Sequence, residues 1–205
     1  MNVFLSRVVK FFFSFLKPLL RTIVRNNSVS RAYWNVRTDA LIRKYRTGER
    51  AREDYPLYKN YLVKYAPLRL LDIGCGSGRL FPLYQELKIS EVVGIDISPK
   101  AIEKAVGYYN CTTRVLTAEN IDYPDNYFDA AISNSVLRFI PPGKHINLAV
   151  SNIVEQSRSI CLREMVRGTG GFAEYVHDYE ALFGDRMRLV EHFEDGQVDV
   201  YIFSK

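Results

Sequence analysis

After Pro67 the chain alternates short apolar runs with stretches of helical periodicity. The apolar runs fall at about 69–73 (RLLDI), 91–96 (EVVGID), 113–117 (TRVLT), 128–133 (FDAAIS) and 159–165 (SICLREM). Between them, 78–88, 99–108 and 144–156 read as helices. Strand alternating with helix predicts βαβ units and a parallel sheet. The end of the chain reads differently. A helix near 173–183 leads to MRLVEHFE and QVDVYIFS, joined through Asp195-Gly196. Two alternating runs separated by Asp-Gly signal a hairpin. The expected architecture is an α/β fold in which five parallel strands are closed by a terminal antiparallel hairpin, seven strands in all. Upstream, 30–47 and 51–65 read as two polar, aromatic-rich helices with Gly48 as terminator. The chain thus divides into a basic N-terminal helix (1–28), a helical cap (29–66) and an α/β domain (67–205).

The pattern at the N-terminus is of another kind. Val3–Val24 is rich in Phe, Leu and Val, yet Lys10 and Lys17 bracket an uncharged stretch of only six residues, too short to span a bilayer. It also lacks the small-residue cleavage site of a secretory signal. On a helix of about 100° per residue, Arg7, Lys10, Lys17, Arg21 and Arg25 fall within an arc of about 80°. A wide apolar face with a narrow cationic stripe suits a helix lying in a membrane interface, with Pro18 kinking it. Packing on the protein's own domain or on a second subunit, and a mitochondrial targeting role, are the other readings of residues 1–25.

Charge supports that division. The net charge of +5 invites a nucleic-acid reading, but residues 1–38 hold seven basic side chains and no acid. Removing those seven leaves 21 basic residues against 23 acidic ones, so the body sits near −2. That disfavours a phosphate-binding surface. The three cysteines, Cys75, Cys111 and Cys161, show neither CxxC pairing nor a His at zinc spacing. No metal site is expected, and an unpaired thiol set suits a reducing compartment, here the cytoplasm.

The chemistry concentrates at the first strand-to-helix turn, Leu70-Leu71-Asp72-Ile73-Gly74-Cys75-Gly76-Ser77-Gly78. Glycines there let the backbone turn tightly and let a ligand approach without a Cβ in the way. The spacing is Gly-x-Gly-x-Gly, with an acid two residues ahead. A dinucleotide fingerprint would need its third glycine at position 79, which is Arg79. A second acid, Asp96, ends the next strand in VVGIDIS, 22 residues after Gly74. That spacing lets a carboxylate accept hydrogen bonds from both hydroxyls of a ribose; capping the helix that follows is the simpler alternative.

Over about residues 68–140, and in outline over 159–205, the sequence resembles the class I S-adenosylmethionine-dependent methyltransferases, in particular the small-molecule group that includes quinone-pathway enzymes. LLDIGCGSGRL is similar to the first motif of that family and VVGIDIS to the second. TAENIDYPDNYFDAAISNSVL is similar to its third- and fourth-strand block. The resemblance implies a Rossmann-like methyltransferase fold with an N-terminal helical arm, and S-adenosylmethionine as cofactor. It places Asp72, Gly74 and Gly76 along the methionine part, counts Cys75 and Gly78 of the same turn among the cofactor-binding residues, and puts Asp96 on the ribose and Ile97 against the adenine. Ala118 and Glu119 would meet the adenine edge, and Asn134 the methionine or the transferring methyl. An ammonium and a sulfonium also make sense of an acid at the strand end, where a pyrophosphate would be repelled. Glu119 and Asn134 read equally well as a solvated charge and a turn residue.

There are departures from the family. Arg138 stands where many relatives carry a histidine or aromatic residue facing the acceptor. The Asn/Asp-Pro-Pro-aromatic motif of amino-group methylases and the Pro-Cys motif of cytosine-C5 enzymes are both absent. His177, in YVHDYEALF, is the one histidine with a case as general base, set against a structural role at a helix start. Tyr33 and Trp34 resemble a segment that caps the cofactor in some relatives, with core packing as their alternative. The function this implies is methyl transfer to a small-molecule or membrane-located acceptor of lipid, quinone or glycolipid type, at the inner face of a membrane. RNA or protein methylation and a non-catalytic cofactor-binding role are the alternatives. Oligomeric state is left open.

Overall fold

The computed structural model describes residues 27–46, 54–105, 111–165, 174–195 and 198–205. The sequence places strands β1 (Arg69–Ile73), β2 (Glu91–Asp96), β3 (Cys111–Val115), β4 (Ala130–Asn134), β5 (Ser159–Met165), β6 (Arg188–Asp195) and β7 (Val198–Ser204) in one sheet. Their order is β3-β2-β1-β4-β5-β7-β6. β1 pairs in parallel with both β2 and β4, while β7 runs antiparallel to its two neighbours. The five parallel strands and the closing hairpin are as the apolar pattern predicts. Because β1 is flanked by the second and the fourth strands, the chain reverses its direction of winding there. In open α/β sheets that crevice, at the carboxyl ends of the strands, is where ligands bind.

Residues of successive parity serve the two faces. Leu71, Ile73, Val93, Ile95 and Leu162 pack with Ile146, Val150 and Ile153 of one long helix, α5 (Lys144–Gln156), and with Phe183 of α6 (Tyr179–Phe183). Leu70, Val92, Ala130 and Ile132 pack on the other face with Tyr58 and Tyr61 of α2 (Tyr55–Tyr65) and with Phe81 and Tyr84 of α3 (Phe81–Glu86). Ile102 of α4 (Pro99–Ala105) joins them. Strands covered on both sides read as unbroken apolar runs. Asp72 shares the face of Leu70, so the polar residue of RLLDI is turned into the α2–α3 side of the core.

Several boundaries differ from the sequence reading for identifiable reasons. The first crossover helix starts at Phe81 rather than 78, because Pro82 takes an opening position where its missing N–H costs nothing. β3 spans Cys111–Val115 rather than 113–117, its register fixed by pairing of Val92 with Cys111 and of Asp96 with Val115. Only an isolated bridge joins Phe128 to Ser157, and β4 proper begins at Ala130. The helix expected at 173–183 is shorter. Residues 174–178 are irregular, and Asp178 caps α6 by accepting the amide of Ala181 at 2.9 Å. A first helix, α1, covers Asn27–Arg46. Residues 1–26, Gly48 and Gly196, and with them the basic arm and half of the Asp-Gly turn, lie outside the described residues.

Candidate functional site

The glycine turn leaves β1 at its carboxyl end. Gly74 N–H and Cys75 N–H both donate to the carbonyl of Ile95, at 2.7 and 3.0 Å, which ties the turn to β2. Gly74 and Gly76 have positive φ, +73° and +55°. A Cβ on Gly76 would meet nothing within 4 Å, so the backbone there faces open space. Directly opposite stands Asp96. Its Oδ2 accepts the Gly76 amide at 3.0 Å and its Oδ1 accepts the Ser98 amide at 2.8 Å. Burial raises this carboxyl, against the pull of the two amides. Each oxygen accepts one bond in this arrangement and retains a lone pair for another donor. An acceptor pair facing a side-chain-free backbone fits a ribose well.

The other turn residues have different surroundings. The Cys75 side chain is buried in the α2–α3 core, and that burial pushes its thiol well up. Gly78 lies against the Phe81 ring, which a Cβ would meet at 2.7 Å. Asp72 is 4% exposed, accepts the Tyr84 hydroxyl at 3.0 Å and is pushed up to about 7 by burial. Ile97 follows Asp96, half-buried. Ala118 and Glu119 form a short 3-10 helix whose carbonyls are held by the Asn152 amide; the Glu119 carboxylate lies 3.3 Å from His145 Nδ1.

At the mouth between β1 and β4 the structure assembles a charged cluster that sequence reading missed. Asp54 stands just before α2 but does not cap it. Its carboxylate takes the Arg79 guanidinium through two bonds, one of 2.8 Å, and Asn134 Nδ2 donates to it at 3.2 Å. Arg163 Nη1 lies 3.5 Å from Asn134 Oδ1. Arg79 had counted only against a dinucleotide. The one signal for Asp54 is that an acid 25 residues upstream must find the buried arginine a partner, which a linear motif does not show.

Beyond Asn134 the chain turns through Ser135 at φ +57° into a 3-10 helix, Leu137–Phe139. Glu164, fully buried on β5, holds this turn. Its Oε1 accepts the amides of Val136 and Leu137, each at 2.9 Å, and the Ser133 hydroxyl at 3.1 Å. Burial pushes Glu164 up to about 7 against those donors. Residues 174–179 clamp the turn from above: Arg138 is ion-paired to Glu174, and the Tyr175 amide donates to the Arg138 carbonyl at 2.7 Å. His177 Nε2 lies 3.0 Å from the Ile140 carbonyl. A carbonyl only accepts, so Nε2 carries the proton and Nδ1 the lone pair. Burial lowers the His177 pKa, opposed by the main-chain hydrogen bonds. Trp34 packs edge-on against Phe139 at 4.8 Å, and Tyr33 edge-on against Trp34 at 5.2 Å. Asn134, His177 and the Tyr33–Trp34 pair thus lie around the turn after β4, whereas Asp72, Cys75 and Gly78 face the α2–α3 side.

That crevice, the strand order and the two acid-bearing turns have the arrangement of the class I S-adenosylmethionine-dependent methyltransferase fold. Residues 71–167 match the family model described as a methyltransferase domain. The chain is similar in fold to magnesium protoporphyrin IX methyltransferase from Synechocystis, solved with bound S-adenosylhomocysteine. The TM-score is 0.73 at 20% identity, covering 88% of this chain and 100% of that one. An uncharacterised methyltransferase of Schizosaccharomyces pombe is 26% identical over 137 residues, 58% of this chain and 49% of its own length. A ribosomal protein methyltransferase of Ralstonia nicotianae is 40% identical over 68 residues, 32% of this chain and 22% of its own. The chain therefore matches half or less of the length of these curated relatives.

Proposed function

We propose that this chain transfers the methyl group of S-adenosylmethionine to a small-molecule acceptor, apolar or membrane-located and of lipid, quinone or glycolipid type. The observation that carries methyl transfer is the open face of Gly76 opposite the Asp96 carboxylate. When bound, the cofactor supplies an already activated methyl group on its sulfonium. Asp96 would hold the ribose, and Ala118 and Glu119 would border the adenine. Asp54, Arg79 and Arg163 offer one anion and two cations to the charged methionine end. The turn after β4 orients the acceptor and keeps water out. The rings of Phe139, Tyr175 and His177 lie on that side and would suit an apolar acceptor.

His177 would take the acceptor's proton on Nδ1. Its lowered pKa keeps the ring neutral at pH 7, as a base requires. His177→Ala is expected to lower kcat by about 10²–10⁴-fold while S-adenosylhomocysteine affinity, read by calorimetry, holds. An unchanged kcat would leave His177 only its bond to Ile140.

The membrane part of the proposal rests on the cationic stripe and apolar face of residues 1–25. Lys10 and Lys17 leave only six uncharged residues between them, too few to cross a bilayer, so the proposed contact is peripheral. The test is incubation of the full chain with methyl-labelled S-adenosylmethionine and a membrane-containing lysate, followed by separation into organic, aqueous, RNA and protein fractions. Label in the organic phase, lost on deleting residues 1–25, supports the reading. Label in protein would favour instead a protein acceptor, the alternative that the Ralstonia similarity supports, and label in RNA would sink both.

A further inference from the structure

The helix α1 does more than border the nucleoside side of the crevice. It is seated in it. Asn35 Oδ1 accepts the Ser98 hydroxyl at 2.6 Å and the Lys100 amide at 3.3 Å. Thr38, 4% exposed, brings its hydroxyl to 3.2 Å from Ser98 Oγ. Asp39 pairs with Lys100 Nζ at 2.6 Å. Ser98 is the same residue whose amide binds Asp96, so the helix is fastened one residue away from the ribose acceptor. Trp34, Thr38 and Leu41 then close over Gly76, Asp96 and Ser98, and the cavity left between them is about 50 Å³. A water takes about 30 Å³, whereas sites for small organic ligands run to roughly 300–1,000 Å³. One or two waters fit there and a nucleoside does not. A wider depression of about 330 Å³ lies at the opposite end of the strands, by Tyr65, Asp129 and Arg158, far from the glycine turn.

Resting on the cofactor reading above, we propose that α1 is an internal competitor for the nucleoside pocket. It is latched by Asn35 and Asp39 onto Ser98 and Lys100, and the cofactor binds only after the latch opens. The latch is polar and lies partly at the surface: the Asp39 and Lys100 side chains are 50% and 38% exposed. It can therefore release without disturbing the sheet beneath. Affinity is then divided by the fraction of molecules in which the helix has lifted.

The chain carries a single tryptophan, and it sits on the moving element, so its emission reads the latch directly. In the full-length Asn35→Ala/Asp39→Ala variant, S-adenosylhomocysteine is expected to bind about tenfold more tightly than in the wild type. Trp34 emission should change on binding in the wild type and start nearer its bound value in the variant. Lys100→Asp should open the latch as well, and adding Asp39→Lys should close it again, an exchange that leaves the fold's core untouched. Equal affinity in wild type and latch variants, or Trp34 emission indifferent to the ligand, overturns the latch alone. Weaker binding by the variants also overturns it, making α1 a wall of the pocket rather than a competitor. If neither protein takes up S-adenosylhomocysteine at millimolar concentration, the cofactor reading falls and the latch with it.

Discussion

Gly74→Ala should cost the fold about 2–5 kcal/mol, whereas Gly76→Ala should leave the fold nearly intact and weaken cofactor binding. Both residues have positive φ, where a Cβ costs about 1–2 kcal/mol. The difference is what the methyl meets. At Gly74 it would lie 2.2 Å from Val136 Cγ2 and 3.3 Å from Val136 Cβ. Val136 cannot retreat easily, because its amide is bonded to the buried Glu164 carboxylate. Overpacking of that kind adds about 1–3 kcal/mol. Together these lower Tm by roughly 5–15 °C for a chain of this size. At Gly76 nothing lies within 4 Å, so only the backbone term remains and Tm falls by a few degrees. The new methyl projects into the space proposed for the ligand. S-adenosylhomocysteine affinity should therefore drop about 10- to 100-fold, each tenfold being about 1.4 kcal/mol. Thermal unfolding and calorimetry on the two variants separate the effects. A Gly76→Ala protein that binds like the wild type would move the cofactor away from this turn.

The pair also shows what linear reading can and cannot see. The places of Gly74, Gly76 and Asp96 were legible because they are set by local geometry: a turn between a strand and a helix, and an acid at the end of the adjacent strand. The strands were legible because apolar runs buried on both faces leave little else to be. Glu164 was read only as part of strand SICLREM. Its work is done by an oxygen that reaches a turn 27 residues away in sequence, at Leu137, and no spacing encodes that. Asp54 and Arg79 fail for the same reason, since an ion pair across 25 residues leaves no periodic trace. Helix ends were misjudged where one residue overrules a pattern. Pro82 moves the start of α3, and Asp178 sets the start of α6.

His177 lies between these cases. Its place after the fifth strand was legible, but its bond to the Ile140 carbonyl was not. That bond serves both readings of the residue: it joins the 174–179 segment to the turn after β4, and it fixes which ring nitrogen is left to act. A structural histidine and a base are not exclusive here, since a base must be held in one tautomer to be of use. The same turn is fixed from below by Glu164 and touched from the side by Trp34 through Phe139. The residues nearest the proposed acceptor are therefore held by the parts of the chain that are most distant in sequence.

Stability should fall as pH rises from about 4 to about 8, and two amide substitutions should abolish much of that fall. Asp72 and Glu164 are both pushed up to about 7 by burial, while in the unfolded chain such groups titrate near 4. A folded pKa above the unfolded one means the native state binds protons more tightly. The stabilisation is complete below about pH 4 and is lost progressively as pH climbs through 7, where the buried carboxyls must ionise. At about 1.4 kcal/mol per pKa unit, each group accounts for a few kcal/mol, as an order of magnitude. Asp72→Asn keeps an oxygen to accept the Tyr84 hydroxyl. Glu164→Gln keeps one for the Val136 and Leu137 amides, and puts its NH₂ where Oε2 is buried without a partner. Neither amide ionises. The double variant should lose much less Tm between pH 5 and pH 8 than the wild type, which should lose several degrees, and what remains comes from Asp96, whose carboxyl burial also raises. His177, with its lowered pKa, acts in the opposite sense and only at the acid end, so it does not mimic this slope. A wild-type protein whose Tm rises between pH 5 and pH 8 would show that Asp72 and Glu164 are ionised in the folded chain at little cost, and that the donors around them outweigh their burial.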